Sequence, residues 1–237
     1  MILFCLPYAG GSEAIYCHWN KFLDSSVVLE PIPLKGRGKR IKEEFYDSIE
    51  EAVEDIFEQL KEKIGNTEYA IFGHSMGAIL AYELYYKIKQ ENLRLPDHIF
   101  FSGHRPPNMP RREEPIHLLP DDDFIKEVIA LGGTPQNIAV HKELLQMFTP
   151  ILRSDFKMLE TYHYRKKKEK IQCEISVLNG KEDDITSEEL IAWRHHTDMS
   201  FHVYPFTGSH FFIHHNIEQI TKLINHILLS KVTKAKI

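Results

Sequence analysis

Gly73-His74-Ser75-Met76-Gly77 constrains this chain more than any other stretch. Before it runs Glu68-Tyr69-Ala70-Ile71-Phe72, a short apolar run of the kind a buried strand needs. After it runs Ala78-Ile79-Leu80-Ala81-Tyr82-Glu83-Leu84-Tyr85-Tyr86, which is apolar-rich and strongly helical. A strand that turns abruptly into a helix through a serine presents that hydroxyl at the tip of a strained turn. Flanking residues without a Cβ let strand and helix pass close to it. The same turn sets the Met76 N–H at a helix N-terminus, where it can hold an oxyanion. The bare pentapeptide is common. The strand before it and the helix after it are what make Ser75 a candidate nucleophile.

The rest of the chain supplies a scaffold for such a turn. Ile2-Leu3-Phe4-Cys5-Leu6 is a continuous apolar run, as a strand buried on both faces requires, and it ends in Pro7-Tyr8-Ala9-Gly10-Gly11-Ser12. Further strands are predicted at Val27-Val28-Leu29-Glu30-Pro31-Ile32, His98-Ile99-Phe100-Phe101-Ser102, Glu174-Ile175-Ser176-Val177-Leu178 and Phe201-His202-Val203-Tyr204. Helices are predicted over 48–64, 187–195 and 217–229. Their alternation with strands indicates a mostly parallel central sheet flanked by helices, in one domain of 237 residues. Residues 105–170 break that rhythm. They carry Pro106-Pro107, Pro110 and Pro115, then helical runs near 122–131, 141–152 and 155–164, with no clear strand. One sheet crossover does not need that length, so this stretch reads as a helical insertion that forms a lid.

A serine hydroxyl is a poor nucleophile at neutral pH. It needs a histidine base, and the base needs an acid to fix its tautomer. In α/β-hydrolases, which carry the strand–serine–helix turn, the chain order is Ser, then Asp or Glu, then His. The carboxyl ends of the last two strands are the places to look. His202 lies within a strand and His195 and His196 on a helix. His210 follows a strand and the Gly208-Ser209 turn, and is the candidate base, with His214 as the alternative. The acid comes from Glu182-Asp183-Asp184, just after Gly180. Asp183 is the choice and Asp184 the alternative. A second oxyanion donor comes from the loop after the first strand, as the backbone N–H of Ala9 or Tyr8.

Composition excludes other classes. A net charge of −5 argues against a nucleic-acid binder. The basic run Arg165-Lys166-Lys167-Lys168-Glu169-Lys170 reads as a solvated linker. Cys5, Cys17 and Cys173 have no metal-ligand spacing and suggest reduced thiols in a cytoplasmic protein, with Cys5 and Cys173 in the core. No secretory leader and no apolar run of membrane-spanning length is present in the sequence.

Several spaced motifs carry a more specific resemblance. Leu6-Pro7-Tyr8-Ala9-Gly10-Gly11, Gly36-Arg37-Gly38 and Phe72-Gly73-His74-Ser75-Met76-Gly77-Ala78 are similar to those of type II thioesterases. So are Leu119-Pro120-Asp121-Asp122, Leu131-Gly132-Gly133-Thr134-Pro135 and Arg153-Ser154-Asp155. Asn179-Gly180-Lys181-Glu182-Asp183 and Gly208-Ser209-His210-Phe211 complete a match over nearly the whole chain. These are stand-alone editing enzymes of nonribosomal peptide and polyketide synthesis. The resemblance implies an α/β-hydrolase fold with a helical lid, and hydrolysis of acyl groups from the phosphopantetheine arms of carrier proteins. It implies Ser75, Asp183 and His210 as triad, favours Asp183 over Asp184, and requires no metal or bound cofactor of the chain's own. The expected partner is an acyl or peptidyl carrier protein, met by a monomer, with no nucleic acid or membrane. A basic patch such as Arg111-Arg112 or residues 165–170 could face an acidic carrier. Lys35 stands where the family usually has Pro before Gly-Arg, in a loop read as lying away from the triad, and Gly208-Ser209-His210 replaces Gly-Gly-His. The alternatives are a medium-chain fatty acyl thioesterase or a general carboxylesterase with the same triad.

Overall fold

The computed structural model describes residues 1–65, 67–110, 114–132 and 142–234. Six strands form one sheet: β1 (Ile2–Leu6), β2 (Val28–Pro31), β3 (Tyr69–His74), β4 (His98–Ser102), β5 (Glu174–Gly180) and β6 (Phe201–Phe206). Their spatial order is β2-β1-β3-β4-β5-β6 and every pairing is parallel. The helices are α1 (Ile49–Leu60), α2 (Met76–Gln90), α3 (Asp121–Ala130), α4 (Lys142–Thr161), α5 (Ser187–Ile191) and α6 (Ile217–Lys234).

The continuous apolar runs follow from burial on both sheet faces. Successive residues of a strand point to opposite faces. Accordingly Phe4, Leu6 and Ile71 join the core cluster that holds residues of α1 and α2. Leu3, Cys5, Ala70 and Phe72 join the opposite cluster with Tyr16, Trp19 and the α6 residues Ile220, Ile224 and Leu228. β6, at the sheet edge, is only partly covered, and its polar His202 is exposed. Local signals fix the helix starts. Ser48 accepts the Glu51 N–H at the head of α1, and Thr186 with Glu189 forms a capping box on α5.

Two readings of the insertion change. The helices expected over 141–152 and 155–164 are one continuous helix, α4, with Pro150 inside it. Ser154 and Asp155 resemble a helix start in sequence, but their side chains bond elsewhere: Ser154 Oγ donates to Tyr46 O, and Asp155 pairs with Arg37. Arg111-Arg112, Gly133-Thr134-Pro135 and His141 lie outside the described residues. The basic run is not merely solvated. Lys167 pairs with Glu83 and lies over the Tyr86 ring, and Lys170 pairs with Asp198. Cys5 and Cys173 are buried and Cys17 is exposed, all as free thiols. No helix among the described residues is long and apolar enough to cross a membrane.

The order of the strands positions the site. From β1 the chain goes out to β2 on one side and returns to β3 on the other. Ligands of open α/β sheets sit at the carboxyl ends of strands near such a reversal. β3, β5 and β6 all point the same way, so the turns after them meet at one rim.

Candidate active site

Ser75 occupies the turn between β3 and α2 with φ 54° and ψ −115°. A side-chain-bearing residue rarely adopts such a conformation, so surrounding structure must hold it there. The Ser75 N–H donates to Ser102 O at the end of β4, at 2.8 Å. Both flanking glycines are required sterically. A Cβ on Gly73 would overlap the Gly77 carbonyl, and one on Gly77 would overlap Leu6 O. The second contact also brings the first turn of α2 against the end of β1 and its loop.

Ser75 Oγ lies 3.0 Å from His210 Nε2, and His210 Nδ1 lies 3.0 Å from Asp183 Oδ2. The three residues come from the turns after β3, β6 and β5. Burial alone would raise the Asp183 carboxyl. The hydrogen bond from His210 and its charge outweigh that, with help from Asp184, and hold Asp183 below the ordinary carboxylate value. An ionised carboxylate can only accept, so Nδ1 of His210 carries the proton and Nε2 faces Ser75 as an acceptor. The Asp183 side chain is 3% exposed and that of His210 26%: a shielded acid behind a reachable base.

The alternatives find other places. Asp184 is exposed, and its N–H donates to Asp183 Oδ1 at 2.9 Å. His214 Nε2 bonds the Tyr8 hydroxyl at 3.0 Å instead of Ser75. His196 bonds Tyr82 and Asn108. The two turns of the acid and the base are braced together. The Glu182 carboxylate accepts the Gly208 N–H, while the Glu182 N–H donates to Gly208 O at 3.2 Å.

Four further groups escaped the sequence reading. His74 is fully buried, its Nδ1 2.9 Å from Ser102 Oγ and its ring 5.3 Å from that of His210. Burial, then the nearby His210 and His214, hold its pKa well below the usual imidazole value, so it is neutral. Tyr8 sets its ring edge-on to Phe211 and His74. Arg37 and Asp155 form a buried ion pair, and Asp155 also accepts the Gly10 N–H at 2.7 Å. The Gly36-Arg37-Gly38 loop, read from sequence as lying away from the triad, is therefore tied to α4 and to Gly10 and Gly11. It reaches the loop that holds Ala9. The available signal was a charged Asp155 in a strongly apolar helix face, and two glycines around one arginine. Gly36 and Gly38 both have positive φ, which turns Arg37 inward between them.

A cavity of about 270 Å³ opens beside this loop, lined by Gly10, Arg37, Ile41, Met147, Phe148 and Ile151 among others. Phe124 and Val128 of α3 are buried. Among the described residues no His, Cys, Asp and Glu cluster could hold a metal ion.

Comparison with known proteins identifies the family. The family described as "Thioesterase domain" matches residues 1–228. Linear gramicidin dehydrogenase LgrE of Brevibacillus parabrevis is 37% identical over 97% of this chain and 88% of its own. The crystal structure of ClbQ from the colibactin NRPS/PKS pathway superposes with a TM-score of 0.93 at 36% identity, over 97% of each chain. The type II thioesterase BorB from the borrelidin biosynthetic cluster gives 0.86 at 32% identity, over 95% of this chain and 91% of that one. With its parallel sheet, its strained serine turn and these matches over nearly its whole length, the chain belongs to the thioesterase family and has the α/β-hydrolase fold.

Proposed function

We propose that this chain is a type II thioesterase that clears acyl groups from the phosphopantetheine arms of carrier proteins in nonribosomal peptide or polyketide synthesis, with Ser75, His210 and Asp183 as its triad. The observation that carries the reading is the unbroken relay from Ser75 Oγ through His210 to Asp183, at 3.0 Å for each bond. The relatives named for such pathways supply the substrate class. LgrE is named a dehydrogenase, but the first loop here, Pro7-Tyr8-Ala9-Gly10-Gly11-Ser12, lacks the G-x-G-x-x-G pattern of a dinucleotide site, so that activity is not carried over.

The steps follow from the geometry. Ser75 Oγ attacks the thioester carbonyl carbon as its proton passes to His210 Nε2. Negative charge gathers on the carbonyl oxygen, where the N–H groups of Met76 and Ala9 receive it. Asp183 stays ionised and stabilises the imidazolium. The C–S bond breaks, His210 returns its proton to the pantetheine sulfur, and the acyl group remains on Ser75. Water then attacks the ester carbonyl with His210 Nε2 taking its proton; the bond from Ser75 Oγ to the acyl carbon breaks, His210 returns the proton to Ser75 Oγ, and a free acid leaves. A neutral His74 behind His210 keeps a second positive charge away from the transient imidazolium. Each step draws on side-chain and backbone groups of the chain itself; the phosphopantetheine belongs to the partner.

In this reading the chain is one domain, residues 105–170 act as its lid, and it works as a cytoplasmic monomer. The test is hydrolysis of acetyl- and longer acyl-carrier proteins against matched acyl-CoA and p-nitrophenyl esters, with wild type and Ser75→Ala. Preference for the carrier-bound thioester, lost in Ser75→Ala, supports the proposal. Fast ester turnover with no carrier preference leaves a general esterase. Strong selection for medium-length fatty acyl chains leaves the fatty acyl thioesterase.

A further inference from the structure

We propose that Asp155 and Arg37 are positioning residues for the thioester chemistry: their buried ion pair anchors the loop after β1 so that the Ala9 N–H stands opposite the Met76 N–H. The inference rests on the serine-hydrolase reading above. Asp155 is 0% exposed and Arg37 3%. Asp155 Oδ1 accepts from Arg37 Nη2 at 2.7 Å. Its Oδ2 accepts from both Arg37 Nη1 and the Gly10 N–H, the latter at 2.7 Å. Arg37 Nε also donates to Lys35 O at 3.2 Å, and Nη1 to Gly11 O at 3.5 Å. One guanidinium and one carboxylate thus hold Gly10 by its N–H and Gly11 by its carbonyl.

Gly10 follows Ala9 directly. The Ala9 N–H lies in the preceding Tyr8–Ala9 peptide, whose carbonyl accepts the Gly11 N–H at 2.9 Å, so anchoring Gly10 and Gly11 holds the turn that aims the Ala9 N–H. Gly10 has φ +79°, and a Cβ there would press on Leu152 of α4 at 2.5 Å. Leu152 and Asp155 are three residues apart, so one face of α4 both covers and bonds Gly10. A buried ion pair is weak evidence for stability, since apolar residues of similar volume often do as well. An apolar pair, however, could not accept the Gly10 N–H. The chemistry that distinguishes this pair is the aim of a backbone donor.

The test uses Asp155→Ala, Asp155→Glu and the double variant Asp155→Asn/Arg37→Gln in the full chain. Each is assayed with p-nitrophenyl butyrate per titrated active site. Each is also titrated with butylboronic acid, whose boron takes the Ser75 Oγ and places an oxygen in the oxyanion position. Asp155→Ala is expected to lower kcat roughly 10- to 100-fold with KM little changed, because the donor serves only the tetrahedral state. Boronate affinity should fall in parallel. The double variant keeps an acceptor for Gly10 without buried charge and should recover most of both. Should Asp155→Ala fail to fold, Asp155→Glu decides, since it keeps the charge but moves the acceptor by one methylene; a parallel loss of kcat and boronate affinity is expected. A folded Asp155→Ala, or Asp155→Glu, with kcat and boronate affinity within about two-fold of wild type overturns the inference, even if its melting temperature drops. A wild type that neither turns over the ester nor binds boronate overturns the underlying reading instead.

Discussion

Glu182 and Gly208 bind each other twice, the Glu182 carboxylate accepting the Gly208 N–H and the Glu182 N–H donating to the Gly208 carbonyl. This double tie joins the turn that carries Asp183 to the turn that carries His210. Gly180 completes it, because a Cβ there would overlap Gly208 O. The separation of acid and base is therefore set by contacts between neighbouring turns, one of backbone to backbone and one from the Glu182 carboxylate to backbone.

Removing the carboxylate tests that claim. Glu182→Ala leaves the Gly208 N–H without its acceptor and frees the His210 turn. Expected is a loss of kcat of roughly ten-fold, in line with about 1.4 kcal/mol of misplacement in a catalytic contact. Glu182→Gln keeps an acceptor oxygen and should stay close to wild type. Steady-state kinetics of both variants decide it. Equal activity of Glu182→Ala and wild type would mean the turns hold their spacing without this bond.

The two adjacent aspartates should separate cleanly. Asp183→Asn keeps the shape but offers His210 the wrong partner for its Nδ1–H, and its rate is expected to drop by about 10³- to 10⁴-fold. Asp184 contributes its backbone N–H to Asp183, which Asp184→Asn retains. That variant should stay within about three-fold of wild type. The reverse ranking in acyl-carrier hydrolysis would reassign the acid.

Much of this site was legible because its residues sit next to strand ends, where strand, turn and motif coincide. Ser75, His210 and Asp183 each follow a strand that the apolar runs mark. The bond partners of those runs were not legible. Arg37 and Asp155 are 118 positions apart, and nothing local to either announces the other. The Gly36-Arg37-Gly38 loop looked remote for the same reason. Residues 141–152 and 155–164 read as separate helical runs, but Ser154-Asp155, for all its local cap chemistry, lies inside the single helix α4. Tertiary partners for Ser154 and Asp155 override that chemistry. His74 passed unnoticed as the variable residue of a pentapeptide, since only the fold shows that its ring lies against His210.

Acid sensitivity of the fold has a named contributor in His196. Burial, then the neighbouring His195 and Lys170, push its pKa from 6.5 down to about 4. Its geometry suits a neutral ring, with Tyr82 Oη 3.1 Å from Nδ1 and Asn108 Oδ1 2.7 Å from Nε2. Between pH 6.5 and about 4 the unfolded chain binds a proton at this histidine and the folded one does not. Stability therefore rises with pH across that window and is lost as pH falls through it. His74 acts in the same sense. Urea unfolding at several pH values should show a shallower pH dependence for His196→Gln, by up to about one proton. An unchanged slope would mean His196 titrates alike in both states.

The serine turn itself offers the sharpest steric test. Gly77→Ala drives a Cβ into the Leu6 carbonyl, and the listener on the other side is backbone at the end of β1, which has nowhere to go without opening the sheet. The helix would gain from alanine by propensity alone, by about 1 kcal/mol. The clash outweighs that gain, because backbone cannot rotate away as a side-chain tip can. Gly77→Ala is expected to lose activity and to lower the melting temperature markedly. Gly65→Ala is the control: among the described residues, its chain neighbours aside, no heavy atom lies within 4 Å of its would-be Cβ, and its φ is not positive. It should be neutral, or stabilise by roughly 0.5 kcal/mol through the unfolded chain. Thermal unfolding and p-nitrophenyl butyrate turnover of the two variants side by side test the argument. A stable, active Gly77→Ala would show that α2 can shift away from β1 without disturbing Ser75, and that the second glycine of the turn is not a steric requirement.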